Sequence, residues 1–157
     1  MTTPVDTWVM PTPEALHALA ARGPIVEIGA GTGYWAHLLR QMGVEVDAYD
    51  VWLPGDSPDN GWPHEKLWPP VMRGDASIAG LPKYRDWTLF LCWPPSLGLS
   101  DEALPAFTGP RVIYVGEPAG GGTGSRRFHE LLRQWLLVQE IALAPQPNVS
   151  LYAYERK

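Results

Sequence analysis

The stretch Glu27-Ile28-Gly29-Ala30-Gly31-Thr32-Gly33 constrains this chain more than any other. It follows a short apolar run at 25–28, itself introduced by Gly23-Pro24, which reads as a buried strand. It precedes residues 34–42, where Tyr34, Trp35, Leu38, Leu39 and Met42 fall at helical spacing and Gly43 supplies the stop. A strand, a glycine turn and a helix in that order form the opening of a βα unit. Glycines let the backbone turn tightly and admit a ligand where a Cβ would collide. The helix start adds N–H groups with no partner inside the helix.

The rest of the chain repeats the alternation. Residues 44–51 alternate toward a strand that ends at Asp50, and Val71-Met72 suggests a short strand closed by Gly74. Residues 87–92 form a continuous apolar strand. A short helix is expected over 101–107, opened by Ser100 as N-cap. A β-branched strand follows at 111–115, then a helix over 125–135 with Phe128, Leu131, Leu132 and Trp135 on one stripe. Strands alternating with helices imply a mostly parallel sheet covered on both faces. The last two strands, 137–143 and 150–154, are separated by too few residues for a crossover helix, so they should pair antiparallel. Residues 1–22 form an N-terminal extension with a small helix over 13–21.

Bulk properties narrow the class. A chain of 157 residues fits one domain, 1–157, and no linker or internal repeat divides it. Hydrophobic content of 45% against 18% charged residues argues against disorder. No apolar run reaches membrane-spanning length, and the first residues lack the basic and apolar regions of a signal peptide. One cysteine, Cys92, rules out an intrachain disulfide and a cysteine-based zinc site, which fits a reducing cytoplasm. A net charge of −5, with Arg126-Arg127 a tight basic pair inside the chain, makes nucleic acid a poor substrate candidate.

Spacing within the glycine loop discriminates between ligands. A dinucleotide loop runs G-x-G-x-x-G and seats a pyrophosphate on the helix start. Here the third glycine comes one residue early, and Tyr34 holds the dinucleotide position. Glu27 would repel a pyrophosphate but suits a positive group, such as an amino group or a sulfonium. The segment from Glu27 to Gly33 resembles motif I of the class I S-adenosylmethionine-dependent methyltransferases, whose pattern is acid-x-Gly-x-Gly-x-Gly. The resemblance extends from Gly23 to the end of the chain. It implies an α/β, Rossmann-like methyltransferase sheet, mostly parallel with a C-terminal antiparallel pair and helices on both faces.

The resemblance also implies S-adenosylmethionine as cofactor and assigns positions to it. Glu27 matches the acid near the methionine amino end, and Gly29, Ala30, Gly31 and Gly33 form the cradle, with Tyr34 close enough to touch the methionine. Asp50 matches the acid that accepts both ribose hydroxyls, a feature shared with NAD binders. Asp75 matches the acid that takes the adenine amino group, with the Ala76 backbone beside it. Cys92 ends the fourth strand, where the family's chain passes the methionine portion. Amino-group methyltransferases of the family then carry Asn/Asp/Ser-Pro-Pro-Tyr/Phe. This chain has Trp93-Pro94-Pro95-Ser96, an unusual motif IV that keeps the prolines and changes both flanks. Two prolines make a rigid lip. Trp93 is donor-only, so its indole face either packs a flat, apolar or cationic substrate or caps the core beneath the loop.

Two candidates stand for a general base: Glu117, after the fifth strand, and His64, whose ordinary pKa suits neutral pH. His17, His37 and His129 lie on helices and read as structural. Residues 52–70 are rich in tryptophan and proline, in a chain with 8 and 17 of these in all. A loop this long is either an ordered lid over the adenosine and substrate or an irregular patch, covering the sheet edge or a dimer contact. Gly120-Gly121-Gly122 reads as a hinge. With no target-recognition insertion, the substrate is expected to be a small molecule or a short peptide group. Alternatives are a non-catalytic S-adenosylmethionine-binding partner or sensor and, against Glu27 and Tyr34, an NAD-dependent oxidoreductase.

Overall fold

The computed structural model of the chain describes residues 7–53 and 67–157. Within them a seven-stranded sheet forms from β1 (Ile25–Ile28), β2 (Val46–Asp50), β3 (Met72–Arg73), β4 (Thr88–Cys92), β5 (Arg111–Gly116), β6 (Trp135–Ala142) and β7 (Ser150–Arg156). The strand order is β3-β2-β1-β4-β5-β7-β6. The first five strands pair parallel. β7 is antiparallel to both β5 and β6, as the short connection before it requires. The order reverses between β1 and β4, so the crevice for a ligand lies at the carboxyl ends of those strands.

Burial on both faces explains the apolar runs. Alternation along β1 and β4 sends Ile25 and Phe90 to one face and Val26, Ile28, Leu89 and Leu91 to the other. The first face is covered by α1 (Pro13–Ala20) and α2 (Tyr34–Gln41) through Leu19, Trp35 and Leu39. The second is covered by α3 (Leu99–Ala106) and α4 (Arg126–Leu132) through Leu104, Phe128 and Leu132, together with Tyr84. The same alternation puts Glu27 on the face of Ile25, beneath α2.

Helix starts follow their caps. Thr12 accepts the Ala15 N–H ahead of α1, and Ser125 accepts the Phe128 N–H ahead of α4. The expected Ser100 cap is displaced. Gly98, at φ +87°, makes the turn and its carbonyl accepts from Asp101 and Glu102, so Ser100 lies buried inside α3. The helix expected over 125–135 stops at Leu132. Trp135 instead opens β6, its ring under the Arg156 guanidinium at 4.3 Å. The 3₁₀ turn Ala76–Gly80 was not anticipated; Asp75 caps it by accepting from the Ser77 N–H and hydroxyl. Among the described residues no helix is long and apolar enough to cross a membrane.

Candidate functional site

The glycine loop is built by the end of β2. The N–H groups of Gly29 and Ala30 both donate to the Tyr49 carbonyl at 2.9 Å, and the Gly31 N–H donates to Asp50 Oδ2 at 2.8 Å. Gly29, Gly31 and Gly33 have φ of +77°, +64° and +83°, the left-handed region that a side chain disfavours. A Cβ at Gly33 would sit 2.5 Å from the Trp68 carbonyl oxygen. The Trp68 N–H donates to the Thr32 carbonyl at 2.7 Å, which pins the chain before β3 onto the loop. The Gly29, Ala30 and Gly31 amides are thus committed to β2, and the Gly33 N–H donates to the Ala30 carbonyl at 3.0 Å.

A cavity of about 380 Å³ opens at the carboxyl ends of β1, β2 and β4. Gly29 and Gly31 form its floor, Asp50 and Trp52 one side, and Cys92, Trp93, Pro94 and Pro95 the other. A second void of about 30 Å³ adjoins it, reached through the shared Trp8, Gly29, Gly31, Cys92 and Trp93. Glu27, Ala30 and Trp35 close its far side. Such a volume accommodates one water molecule or one small charged group.

Glu27 is the electrostatic centre of that void. It is 1% exposed, and its Oε1 has no hydrogen-bond partner among the described residues. Burial first, and the nearby Asp50 carboxylate second, push its pKa up to about 8; the Arg40 guanidinium pulls the other way. The Cys92 thiol is held well above its ordinary pKa by burial and by Glu27, so it stays neutral. An unpartnered buried acid is expensive to keep, and a cationic ligand group would repay it.

Asp50 serves the loop and the cavity together. Its two oxygens accept from the Gly31 and Trp52 N–H groups. Each carboxylate oxygen has a second lone-pair site. Trp93 stands at φ +52°, a strained conformation for a bulky residue. It is fixed there by its own N–H, which donates to the Val115 carbonyl, and by the Pro94 carbonyl, which accepts from Gly124. The lip is therefore locked to β5 and to the loop that follows it.

Other expected residues stand elsewhere. Tyr34 packs on Trp68, ring centres 5.3 Å apart, and lines neither void. Asp75 is exposed, and Ser77 holds its carboxyl below the usual range; it too lies outside both linings, as does Ala76. The Glu117 carboxylate accepts from the Gly122 N–H, while its own N–H donates to Thr123 Oγ1. That pair ties the 117–123 loop to itself rather than to the lip. Ser96 is exposed beyond Pro95. His64 lies outside the described residues, as does most of 52–70, though Trp52 reaches the cavity wall. Lining residues that escaped the sequence reading include Trp8 and Leu99. No periodicity marks either; the only signal for Trp8 was an isolated indole ahead of α1. Among the described residues no group of three or more His, Cys, Asp or Glu could hold a metal ion.

No protein-family model matches the sequence, nor does any curated protein. Solved structures match the fold. Magnesium protoporphyrin IX methyltransferase from Synechocystis PCC 6803, with bound SAM, superposes with a TM-score of 0.61 at 16% identity, over 92% of this chain and 77% of that one. Geranyl diphosphate methyltransferase, in complex with GPP and sinefungin, gives 0.58 at 11% identity over 92% and 77%. A glycopeptide N-methyltransferase complexed with sinefungin gives 0.53 at 12% identity over 90% and 92%. Identities this low speak to architecture alone: the chain has the Rossmann-like methyltransferase fold.

Proposed function

We propose that this protein is an S-adenosylmethionine-dependent methyltransferase acting on a small molecule or a short peptide group. One observation carries the reading. A fully buried carboxyl with an unpartnered oxygen belongs to the lining of a void just large enough for an amino group, beside a cradle of left-handed glycines. The residues present fit the cofactor on chemical grounds: an acid for its cationic methionine end, the Asp50 carboxylate for ribose hydroxyls, and an apolar wall at Trp52 for a flat base. Asp75 and Ala76 remain candidates for the adenine edge and Tyr34 for the methionine.

When bound, the cofactor would supply an activated methyl on a sulfonium, with a neutral thioether as its leaving group. The chain's part is to position and to exclude water. Gly29, Ala30, Gly31 and Gly33 set the approach, Cys92 offers a neutral surface, and Trp93, Pro94 and Pro95 hold a fixed wall on the acceptor side, with Ser96 beyond them. Alignment of this kind supplies roughly 7–11 kcal/mol of barrier reduction. Where the acceptor must lose a proton, Glu117 and His64 remain the candidate bases. The net charge of −5 favours a small or peptide acceptor over nucleic acid.

Trp93 favours a second reading, a non-catalytic binder, because its side chain cannot accept a hydrogen bond from a target amine. Calorimetry with S-adenosylmethionine, S-adenosylhomocysteine and NAD tests the cofactor; tighter binding of NAD would exclude both readings. Transfer of a labelled methyl into cell-extract fractions then separates enzyme from binder. Label reaching nothing, with the cofactor well bound, would leave the binder alone standing.

A further inference from the structure

A groove separate from the cofactor cavity runs around α4. Its two parts measure about 320 Å³ and 520 Å³. They share Ala119, His129 and Arg133, so they form one continuous surface, and neither shares a lining residue with the 380 Å³ cavity. The smaller part is aromatic. α4 has only seven residues and leaves the β6–β7 end of the sheet half-open, with Trp135, Leu137, Tyr152 and Tyr154 facing the gap. Tyr152 is stacked on Tyr114 at 5.7 Å and 17°, so the floor is flat and fixed.

The larger part is polar and cationic. Arg126 and Arg133 line it with one opposing acid, Glu130, which pairs with Arg126 at 3.1 Å. The Arg133 guanidinium has no ion-pair partner among the described residues, in a chain of net charge −5. Its backbone wall is Gly120, Gly121 and Gly124, and a Cβ at Gly120 would meet nothing within 4 Å, so the approach is open. His129 Nε2 lies 2.9 Å from the Thr123 carbonyl, which fixes the ring between the two halves.

We infer that the groove around α4 binds an amphipathic anion: a flat aromatic or apolar body on Tyr152, Tyr154 and Trp135, and a carboxylate, phosphate or sulfonate on Arg133. A guanidinium recognises such oxyanions by paired N–H donors, and aromatic faces take a planar body with little ordering entropy. The site stands whether or not the other cavity takes S-adenosylmethionine. Under the methyltransferase reading, on which this one clause rests, it is the acceptor side, since Ser96 lines it and adjoins Pro95 of the lip.

The probe is 8-anilino-1-naphthalenesulfonate, compared with its uncharged parent N-phenyl-1-naphthylamine, both followed by fluorescence on the full chain. The sulfonate is expected to bind about tenfold tighter than the parent, the low end for a charge-assisted hydrogen bond. Arg133→Gln should erase that preference, and Tyr152→Ala should weaken both probes. Arg127→Gln, at an exposed residue lining neither part, should change nothing. Arg133 is exposed, so its variant tests the site in a folded protein. Equal affinity for the two probes, indifference to Arg133→Gln, no saturable binding, or displacement of the sulfonate by S-adenosylhomocysteine would each overturn the proposal. Cofactor calorimetry reads the other cavity, so failure there leaves this result untouched.

Discussion

Replacing Glu27 with glutamine separates what this residue does for stability from what it does for binding. The carboxyl ordinarily titrates near 4.5 and is pushed up to about 8 in the native protein. Below 4.5 both native and unfolded chains hold the proton and the group contributes nothing. Between 4.5 and about 8 the unfolded chain releases the proton while the native one keeps it, so stability falls as pH rises. Above 8 the loss saturates at roughly 5 kcal/mol, from about 1.4 kcal/mol for each pKa unit. Glutamine keeps the shape without the charge. The variant should therefore be more stable than the native chain at pH 8 and lose that advantage near pH 4.5. Urea unfolding of the unliganded protein at pH 5, 6.5 and 8 measures it. Binding should move the opposite way. A cationic ligand holds Glu27 ionised, so at pH 6.5 complex formation should release about one proton, read by calorimetry in buffers of different ionisation enthalpy. Glu27→Gln should abolish that release and weaken S-adenosylmethionine about 10- to 100-fold, as loss of a charge-assisted hydrogen bond would. A variant with unchanged pH dependence of stability, or with undiminished cofactor affinity, would refute the reasoning.

Gly33→Ala combines φ +83° with a Cβ 2.5 Å from the Trp68 carbonyl oxygen, so it should destabilise by about 1–3 kcal/mol in denaturant unfolding. Thr123 is 2% exposed, and its hydroxyl takes the Glu117 N–H and meets the Tyr114 hydroxyl. Thr123→Ala should cost about 1–3 kcal/mol and speed hydrogen exchange across the 117–123 loop, while Thr123→Ser should recover most of both. Asp50→Asn leaves one acceptor oxygen where the Gly31 and Trp52 amides each need one, so cofactor affinity should fall at least about tenfold by calorimetry.

The fold was legible because β1 and β4 are buried on both faces, and burial on both faces writes itself as runs that are apolar but for Glu27 at 25–28 and Thr88 at 87–92. The cradle was legible for a related reason: left-handed backbone at Gly29, Gly31 and Gly33 requires glycine, so the conformation is spelled in the residue type. Trp8 and Leu99 were not legible, because a residue that reaches a cavity through tertiary packing leaves no period in its own segment. For Glu117 and Asp75 the sequence gives position but not orientation. Both stand just beyond strand ends, where a ligand would be met, yet each carboxylate accepts from a backbone N–H of its own loop. Sequence places an acid at a strand end; only the loop's conformation decides whether it faces inward. The same holds for Ser100, a residue of capping type that the turn at Gly98 draws into the helix interior.

The position of the third glycine bears on which sign of charge the loop would admit under the proposed function. In a pyrophosphate-binding turn the backbone N–H groups must point at the ligand. Here the helix begins after Gly33, and Gly29, Ala30 and Gly31 turn their N–H groups toward Tyr49 and Asp50 of β2 instead. Among the residues that line the cavities are two acids, Asp50 and the buried Glu27. Donors withdrawn and acceptors presented make a field that repels phosphate and attracts a cation. Shifting one glycine by one position would thus reverse the electrostatic sense of the turn, and under the proposed function the buried acid beneath it is the group that a cationic ligand would meet.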